Sequence, residues 1–154
     1  MAPSCRATKA MECGAGMPYH FEYDRKHQIL LIVVSGEYTD EEQLSINADI
    51  RRHAMALKPV AGIGDMSGIT TCAVTPASIQ IAARESSPYE AGTKRFLVAP
   101  GDHVFGLSRM YQLTAKEQSR ASMQIMRTRE EALEALGVTD AEFERVAEAR
   151  VSVG

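Results

Sequence analysis

Residues 28–35 read QILLIVVS, six consecutive apolar residues with a polar residue at each end. The run is rich in β-branched side chains and shows no alternation. A strand of that composition has no polar face to offer water, which suits a central strand buried on both sides in an α/β sheet.

The flanking residues place that strand. His20–Tyr23 alternates and reads as a first strand. Asp24-Arg25-Lys26-His27 is a polar turn short enough to make an antiparallel hairpin. Gly36 is expected to break the second strand. Thr39-Asp40-Glu41-Glu42 is a capping box, in which the Thr39 hydroxyl accepts from the Glu42 amide and the Glu42 side chain reaches back to Thr39. Leu44, Ala48, Arg51, Arg52 and Met55 follow at helical spacing, Ile46 and Ile50 widen the apolar face, and Lys58-Pro59 stops the helix.

Residues 60–79, VAGIGDMSGITTCAVTPASI, form the next unit: a strand to Asp65-Met66, a loop rich in Ser and Thr, and a helix opened by Thr75-Pro76. Proline at the first helical position needs no amide partner. A strand end beside a helix N-terminus is where α/β proteins place ligands and switches. KRFLVA at 94–99 predicts a strand, His103 to about Ser119 a long helix, and Met123–Arg127 a short last strand. Thr128-Arg129-Glu130-Glu131 opens a helix that Gly137 closes, and a third capping box, Thr139-Asp140-Ala141-Glu142, predicts a terminal helix to about Arg150. The order β-β-α-β-α-β-α-β-α plus a C-terminal helix predicts an α/β fold with a mixed, mostly parallel sheet of four to five strands and packed helices.

At 154 residues and 45% hydrophobic content, the chain has the length and apolar material of one domain. Residues 1–16 show no period and are expected as a disordered arm, with Met17 a candidate start site. Residues 17–137 form the domain, and 138–154 a helical extension. A net charge of −3 argues against a nucleic-acid binder. No apolar run reaches membrane-spanning length, the first ten residues, MAPSCRATKA, contain no apolar core segment of the secretory kind, and the three cysteines (Cys5, Cys13, Cys72) have no metal-site spacing. The expectation is a cytoplasmic protein with reduced thiols, no metal and no cofactor. Cys72 has no adjacent base, and the four histidines are scattered.

Four stretches carry a resemblance: YHFEYDRKHQILLIVVSGEYTDEE, GDMSGIT, RFLVAPGDHVFGLSRMYQ and MRTREEALEALGV. In their order and spacing over residues 18–137, the chain resembles the STAS/SpoIIAA-like family of bacterial anti-sigma-factor antagonists. The last two stretches look most like the STAS/SEC14-like branch of uncharacterised bacterial proteins. The resemblance implies a four- or five-stranded sheet with packed helices and a non-enzymatic role in binding or regulation. Antagonists of the family carry a phosphorylated Ser in an Asp-Ser pair where the helix after the central strand begins. Here that place is near Ala73-Val74-Thr75, so the Asp-Ser pair is missing.

Candidate site residues fall into two groups. Asp65, Ser67, Thr70, Thr71 and Thr75 mark a partner- or ligand-binding loop, against the simpler reading of turn formers and, for Thr75, a helix cap. Thr75 is also the candidate phosphosite, because a phosphate there would meet free helix amides. On the helix from His103, Val104, Leu107, Tyr111 and Ala115 form one apolar stripe. Phe105, Met110 and Leu113 extend it into a second face or a pocket, with Arg109 at its rim able to hold a carboxylate or phosphate. These residues suit a regulatory domain that binds a protein partner, with a homodimer as one form. The alternative is a carrier or sensor of a small apolar or lipid-like ligand. A third reading, an enzyme built on Asp65, Asp102 and His103, requires those three to converge.

Overall fold

A computed structural model of the chain describes residues 18–85, 87–118 and 123–147. The expected arm at 1–16, the candidate start at Met17 and the end of the expected terminal helix lie outside the described residues.

The elements run β1 (Tyr19–Asp24), β2 (Ile29–Tyr38), α1 (Asp40–Leu57), β3 (Ala61–Cys72), α2 (Pro76–Arg84), β4 (Lys94–Val98), α3 (Asp102–Gln118), β5 (Met123–Met126), α4 (Arg129–Leu136) and β6 (Glu144–Arg145). They build one mixed sheet in the order β5-β4-β3-β2-β1-β6. The β2–β3, β3–β4 and β4–β5 pairs are parallel, and β1 pairs antiparallel with both β2 and β6. Strand β2 is central, and Leu30 and Leu31, which face opposite sides of the sheet, are both fully buried. Leu30, Ile32 and Val34 pack with Ile46, Ile50 and Ile79 beneath α1 and α2, and the same cluster takes Leu107 and Tyr111 of α3. Ile29 and Leu31 pack with Ile63, Phe96, Val98 and Ala132, placing α4 on the other face.

Two capping boxes form as the sequence predicts, at Thr39 with Glu42 and at Thr128 with Glu131, and Gly137 closes α4 with a φ of 74°. The third does not. Instead of opening a helix, residues 139–143 are bends and irregular chain, and Glu144–Arg145 pairs with the β1 edge. Asp140 takes Lys26 at 2.6 Å and lies 3.1 Å from the His27 ring. The Glu142 amide donates to Asp24, and the Val146 amide donates to the Phe21 carbonyl. An uncovered sheet edge carries unpaired backbone groups, and satisfying them outweighs what a short isolated helix offers.

Two further expectations are corrected. Gly36 does not end β2. With φ 77° it sits in a stretch of shifted register, and the strand runs on to Tyr38. The inward face of α1 carries Gln43, Ile46, His53 and Ala54, whereas Leu44 and Met55 are 57% and 68% exposed. Polar residues turn inward because partners wait there: the Tyr38 hydroxyl donates to Gln43 Oε1 at 2.6 Å, and the His53 ring lies 4.3 Å from that of Phe21.

Candidate functional site

The segment expected as a Ser/Thr loop is strand. From Gly68 to Cys72, β3 stays paired with Ser35–Tyr38 of β2, while its pairing with β4 ends at Asp65. The two strands therefore leave the sheet as a ribbon. Ser67, Thr70 and Thr71 are exposed along it. Thr75 follows as the N-cap of α2, its hydroxyl accepting from the Ser78 amide at 3.2 Å. The same hydroxyl donates to Asp40 Oδ2 at 2.9 Å, and the Thr75 amide donates to Oδ1, tying the starts of α1 and α2 together. These backbone and hydroxyl donors hold the Asp40 carboxyl below its usual range.

Asp65 is not on this exposed surface. It is 4% exposed and points to α4. Oδ1 accepts from the Ser67 amide (3.0 Å) and hydroxyl (2.6 Å), and Oδ2 accepts from Arg129 Nε (2.9 Å) and Nη2 (2.7 Å). Burial pushes its carboxyl up, but Ser67 and Arg129 together outweigh burial and leave it below the usual carboxylate range. Asp65 therefore anchors the root of the ribbon. Arg129, which anchors it in turn, was not among the residues the sequence singled out.

The second group is also redistributed. A partly open cavity of about 100 Å³ lies between the sheet and α1–α3. On α3 it is lined by the inner stripe, Val104, Leu107 and Tyr111, together with Ser108. Phe105, Arg109, Met110 and Leu113 do not line it. Phe105 lies under Arg127, whose guanidinium is 3.9 Å from the ring centre. Arg109 donates to Gln112, and Gln112 to the Met123 carbonyl. Met110 packs on the core, and Leu113 is 56% exposed. At 17 residues, α3 turns through almost five turns, so an apolar composition on several sides could not say which side meets the sheet.

The cavity originates in β3. The alternation Gly62-Ile63-Gly64 sends Ile63 to the α4 side and leaves the other side without side chains. The Tyr89 ring lies across Gly62, and Leu97 reaches within 2.8 Å of where a Cβ on Gly64 would sit. Arg95 enters from β4. Its Nη2 donates to the Tyr111 hydroxyl at 3.1 Å, and its guanidinium centre lies 5.6 Å and 5.7 Å from the Tyr89 and Tyr111 ring centres. Burial raises the Tyr89 phenol, and the nearby Arg95 charge only partly opposes it. The sequence signal for this site was the Gly-x-Gly strand followed by an Arg in the neighbouring strand, a pattern too common to select from the chain alone.

Asp102 pairs with Arg127 at 3.2 Å with its side chain 98% exposed, and no hydrogen bond or ion pair joins Asp65, Asp102 and His103. Among the described residues no cluster of His, Cys, Asp or Glu suits a metal ion, and no helix is long and apolar enough to cross a membrane.

No protein-family model matches the chain, and no curated protein matches it significantly. A search of solved structures returns the anti-sigma factor antagonist SpoIIAA in its unphosphorylated form. The match has a TM-score of 0.51 and 14% identity, and covers 77% of this chain and 97% of that one. The fold is SpoIIAA-like. At that identity the likeness concerns the fold, including the helix-covered mixed sheet on which both candidate surfaces are built.

Proposed function

We propose that this chain is a non-catalytic regulatory domain that acts by contacting a protein partner in the bacterial cytoplasm. The observation that carries the reading is the β2–β3 ribbon, which leaves the sheet and holds Ser67, Thr70 and Thr71 exposed, with Thr75 beyond its end. Its root is held by the buried Asp65–Arg129 pair and its far end leads into the Thr75–Asp40 link. A surface fixed in this way loses little conformational freedom on binding. The likeness in fold to an anti-sigma factor antagonist supports the same reading. Thr75 serves it as a cap. A phosphoryl group there would lose the hydrogen bond to Asp40 and set like charges against each other. Homodimerisation belongs to the proposal, and Leu113 is the large apolar residue that α3 leaves most exposed.

The test is photo-crosslinking in the source organism, with a photoreactive residue in place of Thr70 or, as a control, of Glu134 on α4. A partner captured from position 70 and not from 134 is expected. Equal capture from both positions, or from neither, refutes the assignment of the ribbon.

A second reading, a sensor of a small apolar ligand, is favoured by a separate observation: the cavity over Gly62 and Gly64, whose walls belong to the helices flanking the same ribbon.

A further inference from the structure

The cavity is apolar almost throughout, yet it contains one charge. Arg95 is the sole charged side chain in its described lining. A guanidinium has five N–H donors, and Arg95 directs one to Tyr111. No carboxylate among the described residues pairs with it. It is half-buried and flanked by two aromatic rings, which reduces its hydration and raises its preference for a counter-charge. The polar groups around it are incompletely used. The hydroxyls of Tyr89 and Ser108, both in the lining, make no hydrogen bond among the described residues, and the proton of the Tyr111 hydroxyl has no acceptor there. Away from Arg95 the lining is mostly carbon, including Ile32, Leu97 and Leu107, with the Tyr89 hydroxyl lying over Gly62 and the end of Leu97 over Gly64.

We infer that the cavity binds a small monocarboxylate with a short apolar tail, its carboxylate on Arg95 and the tyrosine hydroxyls and its tail against Ile32, Leu97 and Leu107. This rests on the sensor reading above and adds the chemical class of the ligand. One cation and no acidic side chain among the described lining residues match a single negative charge, whereas a phosphate dianion would carry a second one without a partner. Size limits the tail. The volume of about 100 Å³ is below the roughly 150 Å³ that houses a benzene ring in an engineered protein cavity, so a short branched chain is the fitting shape.

The experiment is a titration of the full chain, labelled with nitrogen-15 and followed by amide shifts, using isovalerate, its neutral amide isovaleramide, and methyl phosphate. Isovalerate is expected to shift the amides of Gly62, Gly64, Arg95 and Tyr111 and to bind at least tenfold more tightly than isovaleramide or methyl phosphate. Arg95→Gln is expected to lose at least tenfold for isovalerate while isovaleramide is unchanged, and Arg95→Lys to keep the preference for the acid. An unchanged spectral dispersion confirms that each variant is folded. If isovaleramide binds as tightly as isovalerate and Arg95→Gln alters neither, the anionic class is overturned and the ligand site stands. If methyl phosphate binds most tightly, the carboxylate is overturned in favour of a phosphate. If no probe shifts these amides, the inference and the sensor reading fall together.

Discussion

Arg129→Met removes the counter-charge from a buried carboxylate and leaves most of the side-chain bulk in place. In the native domain, Nε and Nη2 of Arg129 both donate to Asp65 Oδ2, at 2.9 Å and 2.7 Å, and Asp65 is 4% exposed. Breaking a fully buried pair costs about 3–5 kcal/mol, and a hydrogen bond to a charged group contributes about 1.5–3 kcal/mol. The Arg129 side chain is 35% exposed, so water screens part of the interaction. The expected loss at pH 7 is therefore about 2–3 kcal/mol. With a urea slope of about 2 kcal/mol/M, the midpoint falls by roughly 1 M. The pH dependence has a definite sign. Asp65 is shifted down in the folded state, so its contribution is fully present above the unfolded value of about 3.9 and is lost as pH falls toward the folded one. In the variant, burial remains and the guanidinium is gone, so the carboxyl protonates at higher pH. The deficit of the variant should shrink between pH 7 and pH 3.5, because a neutral carboxyl needs no counter-charge. Urea melts of both proteins at the two pH values measure this. A deficit under about 0.5 kcal/mol at pH 7, the size of an ordinary surface substitution, would refute the reasoning, as would an equal deficit at both pH values.

The remaining predictions concern local chemistry. Thr128→Ala should destabilise by about 1 kcal/mol in chemical melts, as loss of a formed cap does, whereas Thr139→Ala should stay within about 0.5 kcal/mol because its capping box is not used. Gly68→Ala and Gly64→Ala should differ in thermal melts. A Cβ at 68 would sit 2.9 Å from the Val34 carbonyl oxygen and cost about 1–3 kcal/mol, whereas one at 64 displaces only the flexible end of Leu97 and should be milder. Tyr38→Phe leaves the Gln43 side-chain oxygen without its donor in a site where Gln43 is 7% exposed. A loss of about 1–2 kcal/mol is expected from denaturant curves.

Local chemistry was sufficient for much of the architecture. The unbroken apolar run at 29–34 marked the doubly buried central strand, two of the three capping boxes marked the starts of α1 and α4, and Thr75-Pro76 marked that of α2. Each of these signals acts within a few residues, and here the tertiary contacts around it agree with it. Val104, Leu107 and Tyr111 of α3 were legible as one stripe by helical periodicity, but which stripe faces the cavity was not.

What tertiary structure decided are the features that depend on residues far apart in sequence. The box at Thr139 is a complete local signal, yet Asp24, Lys26, His27 and the Phe21 carbonyl claim its surroundings from more than 100 residues away and make the segment an edge strand. The Ser/Thr stretch after Asp65 carries the composition of a loop and is held as strand because β2 continues beside it. Asp65 reads as a site residue until Arg129, 64 positions later, is seen to neutralise it. Arg95 does not stand out in the sequence, and becomes the only charge in the described lining of a cavity when Tyr89 and Tyr111 fold over it. Propensity and capping are energies of about 1 kcal/mol per residue and act at short range. Burial of charge and completion of a sheet edge are as large or larger, and exist only once distant residues meet.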